Sequence, residues 1–153
     1  MPSLENLILS ALLCAFLVGS SIEVQFTSCG GDTVYDLEIT ECAGSACSLH
    51  MGHHYEMLIT LETIAPPLVG PEIHVGLIQF NAYFEQASIC INECVSYLLG
   101  DRVLDLVPKF DMNVTVSQSL VAMPATLRIN NTYVDNAGHQ GGFCVETSVD
   151  IKT

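Results

Sequence analysis

Seven cysteines punctuate the chain, and their placement restricts the fold more than any other feature. Cys14 lies in an apolar leader. The other six fall as one early residue, Cys29, two tight pairs, Cys42 with Cys47 and Cys90 with Cys94, and one late residue, Cys144. Crosslinks at such places staple a small extracellular β-domain rather than assemble an active site. Leu7 to Val18 form an almost unbroken apolar run that ends in Gly19, Ser20 and Ser21, the small residues that signal peptidase accepts. The run is too short to span a bilayer, which takes about 20 apolar residues. Glu5 gives the front of this leader an atypical acid. We expect residues 1–20 to be a cleaved signal peptide, cut near Ser20 or Ser21, and residues 21–153 to be the mature domain. Cleavage removes Cys14 and leaves six cysteines, an even number that reads as disulfides in a secreted chain. Nothing later in the sequence reads as a membrane anchor or a lipid-attachment tail.

Six cysteines allow about 15 connectivities. If each tight pair closes on itself, Cys29 is left for Cys144, which would tie the first strand region to the last. Cys144 is out of phase with Val145 and Val149, so its face is open at this stage.

About 133 of the 153 residues remain after the leader, enough for one domain with a real core. The sequence is 50% hydrophobic and only 14% charged, so it has far more to bury than to solvate and is not a disordered segment. Its formal net charge is -13, or -12 once Glu5 leaves with the leader, and only Arg102, Lys109, Arg128 and Lys152 oppose the acids. Such a surface repels phosphates, which argues against nucleic acid or an anionic membrane as a resting place.

The dominant period is two. Tyr35, Leu37 and Ile39 alternate with Asp36, Glu38 and Thr40, and Tyr55, Met57, Ile59 and Leu61 alternate with Glu56, Thr60 and Glu62. Phe110, Met112, Val114 and Val116 repeat the pattern, as do Val145, Val149 and Ile151. Alternation of this kind marks half-buried antiparallel strands, each with one wet face. Ile22 to Phe26 offers a short first strand, Ile73 to Phe80 a more thoroughly apolar one, and Thr126 to Tyr133 another. Turn residues separate them at Cys29-Gly30-Gly31-Asp32, Pro66-Pro67, Gly70-Pro71, Pro108, Pro124 and Asn136-Ala137-Gly138. Cys94 to Leu106 alone has any helical character, and its periodicity is weak. Seven or so strands in a chain of this length predict an all-β sandwich of two antiparallel sheets.

Two acceptor sequons, Asn113-Val114-Thr115 and Asn130-Asn131-Thr132, fit a secreted glycoprotein. The acceptors Asn113 and Asn130 fall on the polar sides of their strands, opposite Met112 and Val114 in one case and Ile129 in the other.

His50, His53 and His54 crowd one stretch, but neighbouring oxidised cysteines cannot ligate, so we expect exposure and no metal site. Their titration range also admits a pH-sensing role. His74, in an apolar strand, is expected to be a satisfied core histidine. Asp101 and Asp105 would juxtapose carboxylates on a helix, yet a solvated face explains them more simply. The sequence has no Gly-x-Ser-x-Gly elbow, no His-Glu-x-x-His and no phosphate loop, so we expect no enzyme and no cofactor. Periodicity alone favours an ordinary packed core between the sheets.

Several elements together resemble the ML, or lipid-recognition, family, especially its Niemann-Pick type C-two-like branch and the group-two mite allergens. They are Val24-Gln25-Phe26 before Cys29-Gly30, the Cys42 to Cys47 pair, His74-Val75-Gly76, the Cys90 to Cys94 pair, and Phe143-Cys144-Val145-Glu146. The resemblance spans nearly all of residues 21–153 and implies an immunoglobulin-like sandwich whose sheets splay around a lipid cavity. It also implies three disulfides, Cys29 with Cys144, Cys42 with Cys47 and Cys90 with Cys94. The pocket mouth then falls at Tyr83, Phe84, Leu120 and Met123. Where family members carry a proline-rich stretch this chain has Asn81-Ala82-Tyr83-Phe84-Glu85, and Met123 stands where an aromatic is common.

The implied function is a secreted lipid-binding and transfer protein that takes a sterol, fatty acid or other small lipid and passes it to a membrane or receptor. It would act as a monomer, outside the cell or in the lysosomal lumen. ML proteins that hold phosphorylated lipids resemble each other in needing cations at the mouth, and this chain has only four, of which Lys109 and Arg102 could serve one carboxylate or phosphate between them. A neutral sterol is therefore the better cargo, with a fatty acid admitted if its acid group sits in water. The same resemblance admits a lipid-sensing recognition protein or co-receptor of innate immunity. A pocketless, disulfide-stapled adhesion domain is the remaining alternative.

Overall fold

The computed structural model describes residues 23–42, 44–45, 47–62, 69–99, 106–135 and 137–153, and for residues 69–71, 92–95, 97–99 and 106 the backbone alone. The expected signal peptide, Asp101, Arg102 and Asp105 lie outside the described residues.

Alternation of apolar and polar residues produces strands throughout, and no helix occurs among the described residues. The strands are β1 (Thr27–Gly31), β2 (Val34–Ile39), β3 (Ser48–His50), β4 (His54–Leu61), β5 (Val69–Gln79), β6 (Ala82–Glu85), β7 (Ala87–Leu99), β8 (Leu106–Thr115), β9 (Pro124–Val134) and β10 (Gln140–Lys152). One sheet runs β1-β10-β9-β5-β6, with β3 also paired to β10, and the other runs β2-β4-β8-β7. Every pairing is antiparallel except the short parallel one of β3 with β10.

The inner faces meet in one core. Leu37, Ile39, Met57, Ile59, Leu61, Phe110, Met112 and Val114 from the four-stranded sheet pack with Val75, Leu77, Leu127, Ile129, Phe143, Val145, Val149 and Ile151 from the other. Burying each such side chain contributes about 1.5–3 kcal/mol. Phe110 meets Phe143 across the gap edge to face, with ring centroids 5.2 Å apart. Tyr55 is also fully buried, and its hydroxyl accepts the His50 backbone N–H at 2.7 Å, so the core takes its ring without stranding its oxygen.

Ten strands among the described residues replace the expected seven or so, and the difference is local. Regular pairing begins at Thr27 rather than within residues 22–26, where Val24 makes only an isolated bridge to Gly44. Tyr35, expected on the core face, is 69% exposed, because a bulge between Val34 and Asp36 turns Val34 inward in its place. The Cys94 to Leu106 region continues β7 as strand through Leu99.

Cys29 is bonded to Cys144 and Cys42 to Cys47. Cys144 alternates with the buried Phe143 and Val145, so the first of these bridges lies on the outer face of the six-stranded sheet. Cys90 is disulfide-bonded too, while the side chain of Cys94 lies outside the described residues.

Candidate functional site

The edge formed by β6 and β7 differs from the rest of the sandwich. These strands end their respective sheets, and the chain passes directly from one to the other through Gln86. Gln86 is buried; its amide donates to the Phe84 carbonyl at 2.7 Å and accepts the Ser117 N–H at 2.7 Å, which pins the crossing. On either side of that corner, inward-registered side chains among the described residues meet solvent. Ser88 and Cys90 are in register with the buried Val114 and Met112 and so share their inward side, yet both are exposed. Phe84, in register with the fully buried Leu77, is 41% exposed. Inward-registered side chains that still meet solvent define an open rim between the two sheets.

The four expected mouth residues are not all brought together. Phe84 stands on this rim. Tyr83, one position earlier, lies on the other face of β6, with its ring over Gly76 so closely that a Cβ there would fall 2.0 Å from it. Burial raises the Tyr83 phenol above its usual range, Glu85 adds to this, and Arg128 opposes it. Leu120 is buried and Met123 half-buried in the loop from β8 to β9. That loop is clamped by Gln79, whose amide donates to the Val121 carbonyl at 2.8 Å and accepts the Val121 N–H at 3.2 Å. The Met123 carbonyl accepts the Ile151 N–H at 3.0 Å.

Three shallow clefts open on the outer face of the six-stranded sheet among the described residues. The first, about 800 Å³, is lined by Glu23, Gln25, Thr27, Ser45, Glu146 and Thr147 among others, the second, about 470 Å³, by Ser48, Asn81 and Asp150, and the third, about 630 Å³, by His74, Arg128, Asn130 and Thr132. Their linings mix these polar side chains with apolar ones, Val24 and Phe26 in the first, Ile78 and Phe80 in the second and Tyr83 in the third. Segments 63–68 and 100–105, which follow β4 and β7 in the chain, lie outside the described residues.

His74 is not a core residue. Val75 and Leu77 take the inward positions of β5, so His74 faces outward and its Nδ1 sits 3.0 Å from Glu85 Oε1. Arg128 bonds Glu146 through Nε at 2.6 Å on the same face, and Lys109, alternating with buried Phe110, also points away from the interior. His53 and His54 are exposed and His50 half-buried; His54 Nδ1 lies 2.7 Å from Thr115 Oγ1. No group of three or more potential ligands gathers among the described residues. Asn113 and Asn130 both face outward, half-buried, on the sides opposite their buried neighbours.

At the opposite edge of the sandwich the short link between β1 and β2 joins the sheets, and there the Tyr133 hydroxyl donates to the Asp32 carboxylate. Burial and that acceptor hold the Tyr133 phenol far above its usual range.

The class defined by these features is a disulfide-stapled, two-sheet β-sandwich open along one edge. A solved structure with this fold is the Niemann-Pick type C2 protein from Japanese carpenter ant. The two chains share 15% identity, the match covers 84% of this chain and 99% of that one, and the TM-score is 0.54. No family model and no curated protein matches the sequence.

Proposed function

We propose that this chain is a secreted lipid-binding and transfer protein that holds a sterol or similar weakly polar lipid between its two sheets. The open rim carries the reading: Phe84, Ser88 and Cys90 belong by register to the interior and meet solvent instead. An apolar guest entering there gains about 0.8 kcal/mol per buried methylene. The likeness of fold to a Niemann-Pick type C2 protein and the sequence resemblance to the ML family support the same reading.

Phe84, Leu120 and Met123 are assigned to the ligand's path, with Tyr83 bracing the rim from outside. The mechanism is equilibrium binding: a lipid is desolvated, carried through water as a complex with a monomer, and released to a membrane or receptor. No side chain performs chemistry and no cofactor takes part. The crosslinks fit secretion or a lysosomal lumen, with residues 1–20 as the cleaved leader, Asn113 and Asn130 as glycan acceptors, and Cys90 bonded to Cys94.

Native mass spectrometry of the secreted protein, followed by lipid extraction, tests this. We expect lipid to co-purify stoichiometrically. A chain that arrives empty and takes up neither sterol nor fatty acid would overturn the proposal. Phe84→Ala and Met123→Ala should each weaken binding about tenfold, the equivalent of roughly 50 Å² of apolar contact at about 25 cal/mol per Å², without lowering the melting temperature appreciably.

A further inference from the structure

Four polar side chains are buried among the described residues: Gln79, Gln86, Asn131 and Thr147. Three are paired. Gln79 clamps Val121, Gln86 bridges Phe84 and Ser117, and the Thr147 hydroxyl donates to the Gln25 carbonyl at 2.6 Å. Asn131 differs. It is 2% exposed, and neither its Nδ2 nor its Oδ1 has a hydrogen-bond partner.

Its direction is fixed by its strand. Leu127, Ile129 and Asn131 occupy the buried positions of β9, while Arg128 and Asn130 face outward, so the Asn131 amide is aimed into the space between the sheets. Its ladder neighbours there are Phe143 on β10 and Ile73 on β5, the latter only partly buried. β6 pairs only with Gly76 to Gln79, so among the described residues β5 is itself the edge of its sheet at the level of Ile73. A donor and an acceptor thus stand side by side in an apolar wall, one strand in from a sheet edge.

A buried amide is ordinarily paired, by protein or by ordered water. A water needs two to four polar partners, and this wall offers it one side chain. The other orphaned atoms, one oxygen each on Asp36 and Asp111, alternate with buried Leu37, Phe110 and Met112 and face the opposite way.

We propose that Asn131 is the anchor for the polar group of the bound lipid, and that the cargo is a neutral lipid bearing a hydroxyl, bound with that hydroxyl inward. This rests on the lipid-carrier reading above and names the ligand class of the same site. A hydroxyl matches both orphans at once, since its O–H donates to Oδ1 while its oxygen accepts from Nδ2. A carboxylate only accepts, so it leaves Oδ1 unpaired and brings a charge into an apolar interior with no cation directed at it among the described residues. An ether accepts but does not donate.

The test is competitive binding to the delipidated secreted protein, with cholesterol against its 3-methyl ether and 1-hexadecanol against hexadecyl methyl ether. Each alcohol should bind about tenfold or more tightly than its ether, because the ether leaves a buried acceptor unpaired. In Asn131→Leu the ratio should fall to within about twofold, and the ligand-free variant should melt higher because no orphaned amide remains. Alcohols and ethers that bind the unaltered protein equally well would overturn the anchor and leave the carrier standing. A preference that survives undiminished in Asn131→Leu would also overturn it. Failure of all four probes to bind would overturn both proposals.

Discussion

Phe80 and Asn81 turn β5 into β6 in two residues, with φ of +53° and +61°, a pair of left-handed conformations that suits the twist of a hairpin. Asparagine tolerates this region, whereas an aromatic side chain crowds its own backbone there. Phe80 is 72% exposed and has little packing to offset the cost. Phe80→Asn should therefore stabilise the fold by about 0.5–1 kcal/mol, read as an upward shift in urea midpoint with unchanged slope. Sequence reasoning found no turn here because phenylalanine carries no turn signal, and β6 went unread with it. The same blindness at single residues hid other features. Polarity alone places an asparagine outside, so Asn131 was legible only as the middle of a sequon. Tyr35 reads as core until the bulge beside it is known. His74 reads as core because its strand is apolar on both sides of it.

Among the elements, long alternation gave β4, β8 and β10 directly, since one buried face imposes a period of two on eight or more residues, and the six-residue β2 was legible apart from its bulge. β3 spans only Ser48–His50, too short to show a period, and it is held by parallel pairing to β10 instead. The cysteine layout was more informative than any strand. The Cys29–Cys144 bridge closes a loop of 115 residues between the first and last strands, and the Cys42–Cys47 bridge one of only five. Loop-closure entropy makes the long crosslink worth about 4–5 kcal/mol and the short one considerably less. Replacing Cys29 and Cys144 together by alanine should lower the melting temperature by well over ten degrees, whereas the Cys42 and Cys47 double variant should lose clearly less. Calorimetry of the two variants checks the order. Equal losses would contradict the crosslink as the principal tie between β1 and β10.

For the whole molecule the excess of acid matters more than any one charge. The four cations are already counted in the formal net charge of -13, or -12 once Glu5 leaves with the expected leader, and two of them are held by acids, Arg128 by Glu146 and Lys152 by Asp150 at 3.4 Å. If the chain is the carrier proposed above, it approaches anionic bilayers against a repulsive field. Lipid transfer to vesicles rich in phosphatidylserine should be several-fold slower than to phosphatidylcholine vesicles at about 10 mM salt, where the screening length is about 30 Å, and the gap should close near 1 M, where it is about 3 Å. Fluorescence transfer kinetics across a salt series measures this, and a salt-independent ratio would contradict it. The two-sheet architecture was legible at this scale from strand number and cysteine order. The splayed edge was not, because exposure of an inward-registered residue depends on how far the facing sheet extends, and no local pattern encodes that distance.

Since β6 and β7 finish separate sheets and share no ladder among the described residues, drawing them apart ruptures no interstrand backbone bond. The Gln86 amide works like the stitched corner of a book whose pages remain free along the fore-edge. On the proposed carrier function, loading and unloading a guest through that margin would call for side-chain rotations and no unfolding, so crosslinks elsewhere could make the frame durable without slowing the traffic.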